Sequence, residues 1–495
     1  MARLILLTAL VVTLLIGYGQ RPGAIAAGRV YYVAPGGSDD GPGTIQRPWR
    51  TIQHAADTLT AGDTVYIRAG TYHERVLPQH SGSPGNEITY AAYPGETAII
   101  DGTSIALPDD LAGLFEIAGR SYIRVSGLRV INAGPFANNA AILVSDSSHI
   151  SIENCATFHI ASSGIGVWSS QQIVIRGNTV EQAGLGGGQE CITVAGTSDF
   201  EVLNNTVTDC QKEGIDAKDG SSNGRITHNT VNRPRAVGIY VDAWDRPTHD
   251  IIVSRNLVFG SVESAGFAIA SEMGGLLSNI RLENNLACHN HAHGIEISYC
   301  CSASHPMDTI VIINNTLYDN GIGWGGGIIA DNAQAQNVVI RNNIASQNRT
   351  FQLAVAADVP ASNVTVDHNL IDGYRGYEDE VHGEDYVEGD PWFVDPAHGD
   401  FHLQPGSPAV DVGSADDAPS VDLDGDPRPA GAGYDIGADE YAARLHLYLP
   451  LVLKVACNPN VRHMVDRLSA CPDSLNSASP VFIRVLSPKP SGGQF

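Results

Sequence analysis

VLNNTVTDCQKEGIDAKDGSSNGRITHNTVNRPRAVGIYVDAWDRPTHDIIVSRN, residues 202–256, contains one short apolar phrase three times, as VLNN, ITHN and VSRN. Elsewhere the phrase returns as IENC, IRGN, LENN, IINN, IRNN and VDHN. The last asparagines of these nine phrases are Asn154, Asn178, Asn205, Asn229, Asn256, Asn285, Asn315, Asn343 and Asn369, at steps of 24 to 30 residues. An irregular period of this size, built from short β-branched runs, is typical of a solenoid.

The phrases themselves predict strands, because Val and Ile alternate with polar residues at a period of two. One coil of a right-handed parallel β-helix uses about this many residues. A buried asparagine at the same turn of each coil can hydrogen-bond along the stack, as amide ladders do. We therefore predict an all-β, right-handed parallel β-helix, with Gly127 at the ladder position of the coil before Asn154.

The sequence divides into five segments. Residues 1–26 combine Arg3, an apolar run from Leu4 to Ile16 and a small-residue AIA site, which predicts a cleaved export signal and a secreted protein. Residues 29–87 form a predicted N-terminal cap with a short capping helix after Thr51. Coils follow over 88–370, then a loop-rich closing segment over 371–445 and a tail over 446–495. We expect a monomer without a membrane span.

The net charge of −25 excludes nucleic acid as a natural partner. The same charge repels an acidic polysaccharide at long range unless a cation bridges the two, whereas a neutral glycan meets no such barrier. The eight cysteines lack the spacing of a zinc site. Cys155 is expected to be a buried free thiol. Cys457 and Cys471 are a candidate disulfide in the tail, and no other pairing is predicted.

A second strand of each coil opens with a Gly-apolar phrase such as GIDAKD or GIYVDAW. Its second and fourth residues are expected to point inward and its third and fifth outward. The outward positions and their flanks collect a mixture of acids, one lysine and aromatic residues on consecutive coils: Trp168, Glu190, Glu213, Asp216, Lys218, Asp219, Tyr240, Asp242, Trp244, Asp245, Glu272, His293 and Glu296. Stacked carboxylates such as Glu190 and Glu213 repel unless a cation or proton intervenes.

We expect this exposed face to carry function, although each residue also has a structural interpretation. A single exposed acid is usually only solvated, and Lys218 could pair with Asp242 on the next coil. A separate DLDGD segment, with Asp422, Asp424 and Asp426, resembles the start of a calcium loop. Because the acid that closes an EF-hand loop is absent at its spacing, a solvated turn is the stronger expectation there.

YYVAPGGSDDGPGTIQRPWRTIQHAADTLTAGDTVYIRAGTYHERV, residues 31–76, resembles the N-terminal segment of secreted right-handed parallel β-helix proteins. These belong to the pectate lyase-like superfamily and include pectate lyases of the polysaccharide lyase family nine type and several β-helix glycoside hydrolases. The resemblance extends over roughly residues 30–440. It implies a protein that acts on or binds polysaccharide.

The first functional hypothesis is a lyase. Carboxylates drawn from Glu190, Glu213, Asp216, Asp219 and Asp242 would bind calcium and a uronate carboxylate. Lys218 would remove the C5 proton of the uronate, and the oxygen at C4 would leave by β-elimination. Lys218 must be neutral for this role, which requires a pKa of about 7–8; Lys212 is the alternative lysine.

The second hypothesis is a glycoside hydrolase with Asp216 and Asp242, or Asp242 and Glu272, as its carboxyl pair. In either enzyme Trp168, Tyr240 and Trp244 could stack on sugar rings, and Glu272 and Glu296 could bind substrate. The third hypothesis is a glycan-binding surface protein without activity, for which the long face of a solenoid is suited.

Overall fold

The computed structural model describes residues 28–299 and 303–442, and these ranges form an elongated solenoid of three parallel sheets. In each coil the chain passes through the three sheets in turn, and each strand pairs with its counterpart in the next coil. The right-handed parallel β-helix is confirmed.

The first sheet has 13 strands, with bounds Val30–Val33, Thr64–Ile67, Ile88–Ala92, Ser121–Ser126, Ser148–Glu153, Gln171–Arg176, Ser198–Leu203, Ser222–Thr227, Thr248–Ser254, Leu277–Glu283, Met307–Ile313, Ala335–Arg341 and Val364–Asp367. The second sheet also has 13 strands, with bounds Gly70–Tyr72, Ala98–Asp101, Arg129–Ile131, Ala156–Phe158, Thr179–Glu181, Thr206–Thr208, Thr230–Asn232, Leu257–Phe259, Leu286–Cys288, Thr316–Tyr318, Ile344–Ser346, Leu370–Asp372 and Val387–Glu388.

The third sheet, which carries the predicted site, has 10 strands: Ala112–Ala118, Asn139–Ser145, Ile165–Trp168, Ile192–Ala195, Ile215–Lys218, Ile239–Ala243, Phe267–Ser271, Ile295–Tyr299, Ile328–Ala330 and Leu353–Val355. Its inward positions hold apolar side chains in matching register. Ile192, Ile215 and Ile239, for example, lie one above another and are at most 1% exposed. Burial of such columns along the axis stabilises the coils against one another.

The asparagine ladder exists at the turn between the first and second sheets. From Asn178 to Asn369, the Nδ2 of each asparagine donates to the Oδ1 of the next at 3.0 Å. The backbone N–H of each residue donates to the same oxygen at 2.9–3.0 Å. Each buried amide is therefore satisfied by its neighbours.

The ladder assignments of Asn154 and Gly127 are wrong by one residue. Cys155 occupies the ladder position, since its N–H donates to Asn178 Oδ1 at 2.8 Å. Asn154 and Gly127 instead have φ of 52° and 71° at the preceding bend. Asparagine and glycine are the residues that adopt this left-handed conformation most readily, so Asn154 serves the bend and Leu128 precedes Cys155 in the stack.

A second, shorter ladder lies five residues after the first. Asn290 donates to Asn320 at 2.9 Å, Asn320 to Asn348 at 3.0 Å, and Asn348 to the side chain of Gln352 at 2.8 Å. The sequence signal is the asparagine five positions after Asn285, Asn315 and Asn343.

The N-terminal segment contains strands of the solenoid as well as a helix. The first sheet already begins at Val30–Val33, inside the segment 29–87 that was expected to be a cap. A helix, Ile52–Thr58, lies in that segment, and the Thr51 side chain accepts a hydrogen bond from His54 N–H at 3.2 Å. Two 3₁₀ turns, Ala361–Asn363 and Pro396–His398, occur near the other end.

The closing segment packs on the outside of the second sheet. Its antiparallel strands, Phe393–Asp395 and Asp400–Leu403, bury Phe393 and Phe401 against Leu257 and Leu286. No helix within 28–299 or 303–442 is long and apolar enough to cross a membrane. The predicted signal and the Cys457–Cys471 pair lie outside the described residues. Cys155 is a buried free thiol, as expected, and Cys191 pairs with Cys210, a disulfide the sequence did not predict.

Candidate active site on the third sheet

The predicted columns of outward residues align in the third sheet. Asp216 lies between Thr193 and Tyr240 in register, and Lys218 pairs with Ala195. Asp242 pairs with Ala270 on the following coil. Since neighbouring strands lie about 4.8 Å apart, side chains at equal register on this face are in contact range.

Lys218 is the centre of an ion-pair network. Its Nζ lies 2.7 Å from Glu190 Oε1 and 3.3 Å from Asp216 Oδ2. Lys212 Nζ lies 3.6 Å from the same Glu190 oxygen and 3.7 Å from Glu213 Oε2. We call Glu190, Glu213, Asp216, Lys218 and Asp242 the acidic cluster. The observed pairing of Lys218 differs from the expected pairing with Asp242, because the lysine contacts Glu190 on the preceding coil.

Three carboxyl groups of the acidic cluster are buried and its other two side chains are partly buried, which corrects the expectation of an exposed face. Glu190, Asp216 and Asp242 are only 1%, 2% and 4% exposed. Three carboxylate oxygens, Glu213 Oε2, Asp216 Oδ1 and Asp242 Oδ1, are buried without a hydrogen-bond partner. A buried carboxylate without donors disfavours its charge, so each of these groups must hold a proton or meet a cation.

Burial and mutual repulsion separate the proton affinities of these groups. Burial raises the pKa of Asp216 and Asp242 well above the ordinary value, and nearby carboxylates, Asp242 for Asp216 and Glu272 for Asp242, raise it further. Burial and then Glu190 raise the pKa of Glu213. Burial also opposes ionisation of Glu190, but Lys218 outweighs it, and the pKa of Glu190 is lowered.

The pKa of Lys218 itself is raised. Burial lowers it, but the carboxylates of Asp216 and Glu190 outweigh the cost of desolvation. The ammonium is therefore the stable form, and as described Lys218 does not meet the requirement of a neutral base.

A tyrosine connects the cluster to Glu272. Tyr240 Oη donates to Glu272 Oε1 at 2.7 Å, and Glu272 belongs to the coil that follows Asp242. The Glu272 backbone N–H donates to Ala243 O at 2.9 Å, which places the glutamate beside the end of the Asp242 strand. Asp242 and Glu272 are thus adjacent carboxyl groups on neighbouring coils, one buried and one partly open to solvent.

One tryptophan lies beside this pair and a second lies three strands away on the same sheet. Trp244 follows the strand of Asp242 and is 46% exposed. Trp168 is at the same register position as Lys218, two coils before it. Its ring lies against Gly166, and a Cβ added at Gly166 would come within 2.1 Å of the ring atom Cζ3. Indole faces in such positions suit the apolar faces of sugar rings.

Asp219 lies apart from the cluster. It has a left-handed backbone, and its Oδ2 accepts from Arg246 Nη2 at 2.6 Å on the solvent side of the turn. Calcium requires six to eight oxygen ligands. No three carboxylates of the cluster and Asp219, all described residues, bring one oxygen each within 4.8 Å of one another, and the Lys218 ammonium already stands between Glu190 and Asp216. Calcium therefore does not fit this arrangement of side chains.

Glu296 and His293 form a second group further along the third sheet. His293 Nε2 lies 4.0 Å from Glu296 Oε2. Burial, and then Asp331, raise the pKa of Glu296 to about 8, while burial lowers the pKa of His293 to about 4. The exposed Trp324 packs edge-on against His293, with ring centroids 5.5 Å apart. This group is separated from Asp242 by one intervening strand, Phe267–Ser271.

Sequence reasoning missed two supporting residues. Thr193 Oγ1 donates to Glu190 Oε2 at 2.8 Å and contacts Ser163 Oγ at 2.7 Å. Arg246 neutralises Asp219. The position of Thr193, in register with Asp216, could have indicated its place beside the cluster. The sequence of the turn that brings Arg246 to Asp219 has no feature that predicts this contact.

The family described as Pel9A-like, right-handed β-helix region, matches residues 31–363. The chain belongs to this family. It is 29% identical over 444 residues to the uncharacterized protein YwoF of Bacillus subtilis (strain 168), which covers 78% of this chain and 93% of that protein.

Two pectate lyases are also similar. A segment of 116 residues is 39% identical to pectate lyase PEL9 of Emericella nidulans, over 21% of this chain and 28% of that enzyme. The crystal structure of pectate lyase Pel9A shares the fold with a TM-score of 0.54 at 20% identity, over 84% of this chain and 97% of that one.

Proposed function

We propose that this protein is a carbohydrate-active enzyme of the β-helix class, and that it hydrolyses a glycosidic bond at Asp242 and Glu272. The observation that carries the proposal is the ion pairing of Lys218. Because Glu190 and Asp216 hold its ammonium, the groups left for proton transfer are carboxyls. A carboxyl pair flanking the bond is the usual equipment of glycoside hydrolases.

The two carboxyls have the different surroundings that the reaction requires. Asp242 is buried with a raised pKa, so it keeps its proton and can donate it to the leaving oxygen. The Glu272 carboxylate accepts a hydrogen bond from the Tyr240 hydroxyl at 2.7 Å, which fixes its direction. Glu272 would then act as base or nucleophile on the opposite side of the sugar.

The charges favour a neutral glycan. Lys212, Lys218 and Arg246, the basic side chains beside the site, are all paired with acids of this chain. A uronate carboxylate would find no free cation among them and would face a net charge of −25. Trp244 and Trp168 instead offer aromatic faces that bind neutral sugar rings.

The test is reducing-end release from a panel of neutral glycans such as xylan, arabinan, mannan and galactan. Asp242→Asn and Glu272→Gln should each lower kcat by about 10²–10⁴, the range for loss of a general acid or base. Asp216→Ala should also abolish turnover, because Lys218 loses one of its two partners and its ammonium would then favour ionisation of Asp242, the proposed acid. Asp199→Asn, an exposed acid on the first sheet, is the matched control. Wild-type rates in both pair variants would contradict the assignment.

Tyr240→Phe separates orientation from chemistry. Without the hydroxyl donor, Glu272 loses its fixed direction while the carboxyl remains. We expect a loss of kcat of about 10-fold, smaller than that of Glu272→Gln, with little change in KM. An equal loss in both variants would instead make Tyr240 part of the chemical step.

β-Elimination on a uronate glycan is the second candidate, and the family match together with the similarity to pectate lyases favours it. In that reaction Lys218 Nζ would take the C5 proton, the bond from C4 to the glycosidic oxygen would break, and an unsaturated uronate would form. Lys218 would first have to leave Glu190 and Asp216 and lose its proton. A calcium requirement would count for this candidate only if these side chains rearranged, because calcium does not fit their present arrangement.

The two candidates separate in one experiment. The protein is incubated with pectate, alginate and glycosaminoglycans, with calcium and with EDTA, and the ultraviolet absorbance of unsaturated uronate is followed. A calcium-dependent rise that Lys218→Met abolishes would replace hydrolysis by elimination. No rise, together with reducing ends from a neutral glycan, supports hydrolysis. If neither unsaturated uronate nor new reducing ends are formed, a glycan-binding protein without activity is favoured.

Export to the cell exterior is part of the proposal and rests on residues 1–26. N-terminal sequencing of protein recovered from the culture medium should begin near Ala27. Recovery only from the cell, with Met1 retained, would contradict it.

A further inference from the structure

Three separate stretches of the closing segment bring metal-ligating side chains together. His402 lies on the strand Asp400–Leu403, Asp424 in the DLDGD turn, and Asp439 near residue 440. One ligand atom from each of these three residues lies within 4.8 Å of the others. Among the described residues, no other set of three or more His, Cys, Asp or Glu side chains converges in this way.

The imidazole is held by carboxylates at both nitrogens. His402 Nε2 lies 2.7 Å from Asp424 Oδ2, and Nδ1 lies 2.6 Å from Asp400 Oδ1. A metal ion at Nε2 would replace the proton that Nε2 donates to Asp424, and this proton would be released to solvent. Asp439 is 9% exposed, and its Oδ2 accepts from Leu403 N–H at 2.7 Å. A carboxylate on the outer nitrogen of a histidine is the usual orientation partner of a metal-binding imidazole.

The turn that carries Asp424 is held by hydrogen bonds to the side chain of its own first aspartate. Asp422 Oδ1 accepts the backbone N–H groups of Asp424, Gly425 and Asp426 at 2.8–3.0 Å. Asp422 is 1% exposed, whereas Asp424 and Gly425 are exposed, so the DLDGD segment is a solvent-exposed turn built on one buried aspartate. Its first aspartate builds the turn, and its second points to His402.

A small cavity of about 10 Å³ lies among these groups, lined by His402, Asp424 and Asp439 together with Leu286 and Thr316 of the second sheet. This is about the volume of one water-sized sphere. The position therefore has room for a single atom-sized ligand between the closing segment and the coils.

We propose that His402, Asp424 and Asp439 form a binding site for a divalent transition-metal ion such as Zn²⁺, with Asp400 orienting the imidazole. Mixed nitrogen and oxygen ligands suit zinc, whereas calcium and magnesium take oxygen ligands. The ion would join three stretches of the closing segment over the coil that carries Leu286 and Thr316. Its role is structural, since the site lies between the closing segment and the second sheet and not on the sheet of Asp242 and Glu272.

The test uses the full-length mature protein after EDTA treatment and dialysis. Titration with zinc alone, followed by calorimetry and by thermal unfolding, should show a site that raises the Tm, while calcium and magnesium should not. Asp424→Asn and His402→Ala should each weaken zinc affinity at least tenfold and remove the Tm increase. His398→Ala is the matched control, because His398, four residues before His402, forms a comparable but exposed pair with Asp395.

Equal zinc binding and equal Tm increase in wild type and both variants would overturn the proposal, as would a wild type that zinc does not stabilise. Because Asp424 is partly exposed, its amide variant should fold even where His402→Ala does not. The zinc response is measured without substrate, so its outcome is independent of the proposed hydrolysis.

Discussion

The asparagine ladder and the acidic cluster are both stacks of buried polar side chains on consecutive coils, but their energetics are opposite. An amide has a donor and an acceptor, so each asparagine satisfies the next, as Asn256, Asn285 and Asn315 do. A carboxylate only accepts. Stacked acids therefore leave orphaned oxygens, as at Asp216 and Asp242, unless a lysine or a proton intervenes.

The difference separates structure from function within one architecture. A fully hydrogen-bonded network rigidifies the solenoid. A buried carboxylate without donors instead destabilises the folded state when it is ionised, and its raised pKa measures that cost. Carboxyl groups with strongly raised pKa values are concentrated at catalytic and binding sites. The comparison is tested by replacing an asparagine of the ladder with aspartate and an aspartate of the cluster with asparagine.

Asn285→Asp should have the largest effect. In the wild type, Asn285 Nδ2 donates to Val253 O at 2.8 Å and to Asn315 Oδ1 at 3.0 Å. A carboxylate oxygen would face both acceptors without a donor, which should lower the free energy of unfolding by about 3–5 kcal/mol. Urea unfolding at neutral pH measures it.

The control is Asn204→Asp, an exposed asparagine at the bend next to ladder residue Asn205. Aspartate tolerates the left-handed backbone there, so the free energy of unfolding should change by less than about 0.5 kcal/mol. A similar loss in both variants would mean that the ladder amides carry no special stability.

Glu296→Gln should change the pH dependence of stability. The native pKa of about 8 lies above the ordinary value of 4.5, so between these values the folded state keeps a proton that the unfolded state has lost. Stability from this group is therefore lost as pH rises through that window, by up to about 1.4 kcal/mol per pH unit. Urea unfolding at pH 5 to 8 should show a flatter profile for the variant.

The groups that face Glu296 define the control for this profile. Asp331, whose pKa is raised to about 6 by burial, contributes a slope of the same sign at lower pH. His293, whose pKa is lowered from 6.5 to about 4 by burial, contributes a slope of opposite sign between these two values, because only the unfolded state is protonated there. Glu388→Gln, at an exposed glutamate, should leave the wild-type slope unchanged. An unchanged slope in Glu296→Gln would mean that solvent reaches and ionises the carboxyl.

Asp242→Asn should leave stability equal or raise it by about 1 kcal/mol, in contrast to the ladder exchange. The amide replaces a carboxyl whose ionised form is disfavoured by burial and by Glu272, and its NH₂ can donate to the neighbouring acids. Thermal unfolding near pH 7.5, with Asp199→Asn as control, measures the change. A loss above 2 kcal/mol would place Asp242 among the structural groups.

The fold followed from the sequence because a ladder position must repeat once per coil. The one-residue error at Asn154 has a physical origin. Phrases such as LENN and IRNN place one asparagine at the left-handed bend and the next in the ladder, and both sites favour the same residue type. Aligning on the fourth letter of each phrase, rather than on its last asparagine, would have found Cys155.

The site was predictable as a set of columns but not as a set of contacts. Register fixed Asp216 beside Tyr240, because the side-chain period of a strand is two. It could not fix the direction of Lys218, whose long side chain reaches Glu190 rather than Asp242. The Cys191–Cys210 disulfide was missed for a similar reason, since the path of the turns between strands has no periodic signal.

Cys155→Asn should give the smallest effect, and of the opposite sign to Asn285→Asp. The thiol occupies a ladder position, with Sγ 3.8 Å from Val125 O, the carbonyl that an asparagine there would reach. An added amide would satisfy that carbonyl and extend the ladder toward Leu128, which should raise the free energy of unfolding by about 0.5–1 kcal/mol. Cys155→Ser, which adds a hydroxyl without an amide, is the control. A loss in the asparagine variant alone would show that the first ladder coil is too tightly packed for the amide, and would limit the ladder to the coils from Asn178 onward.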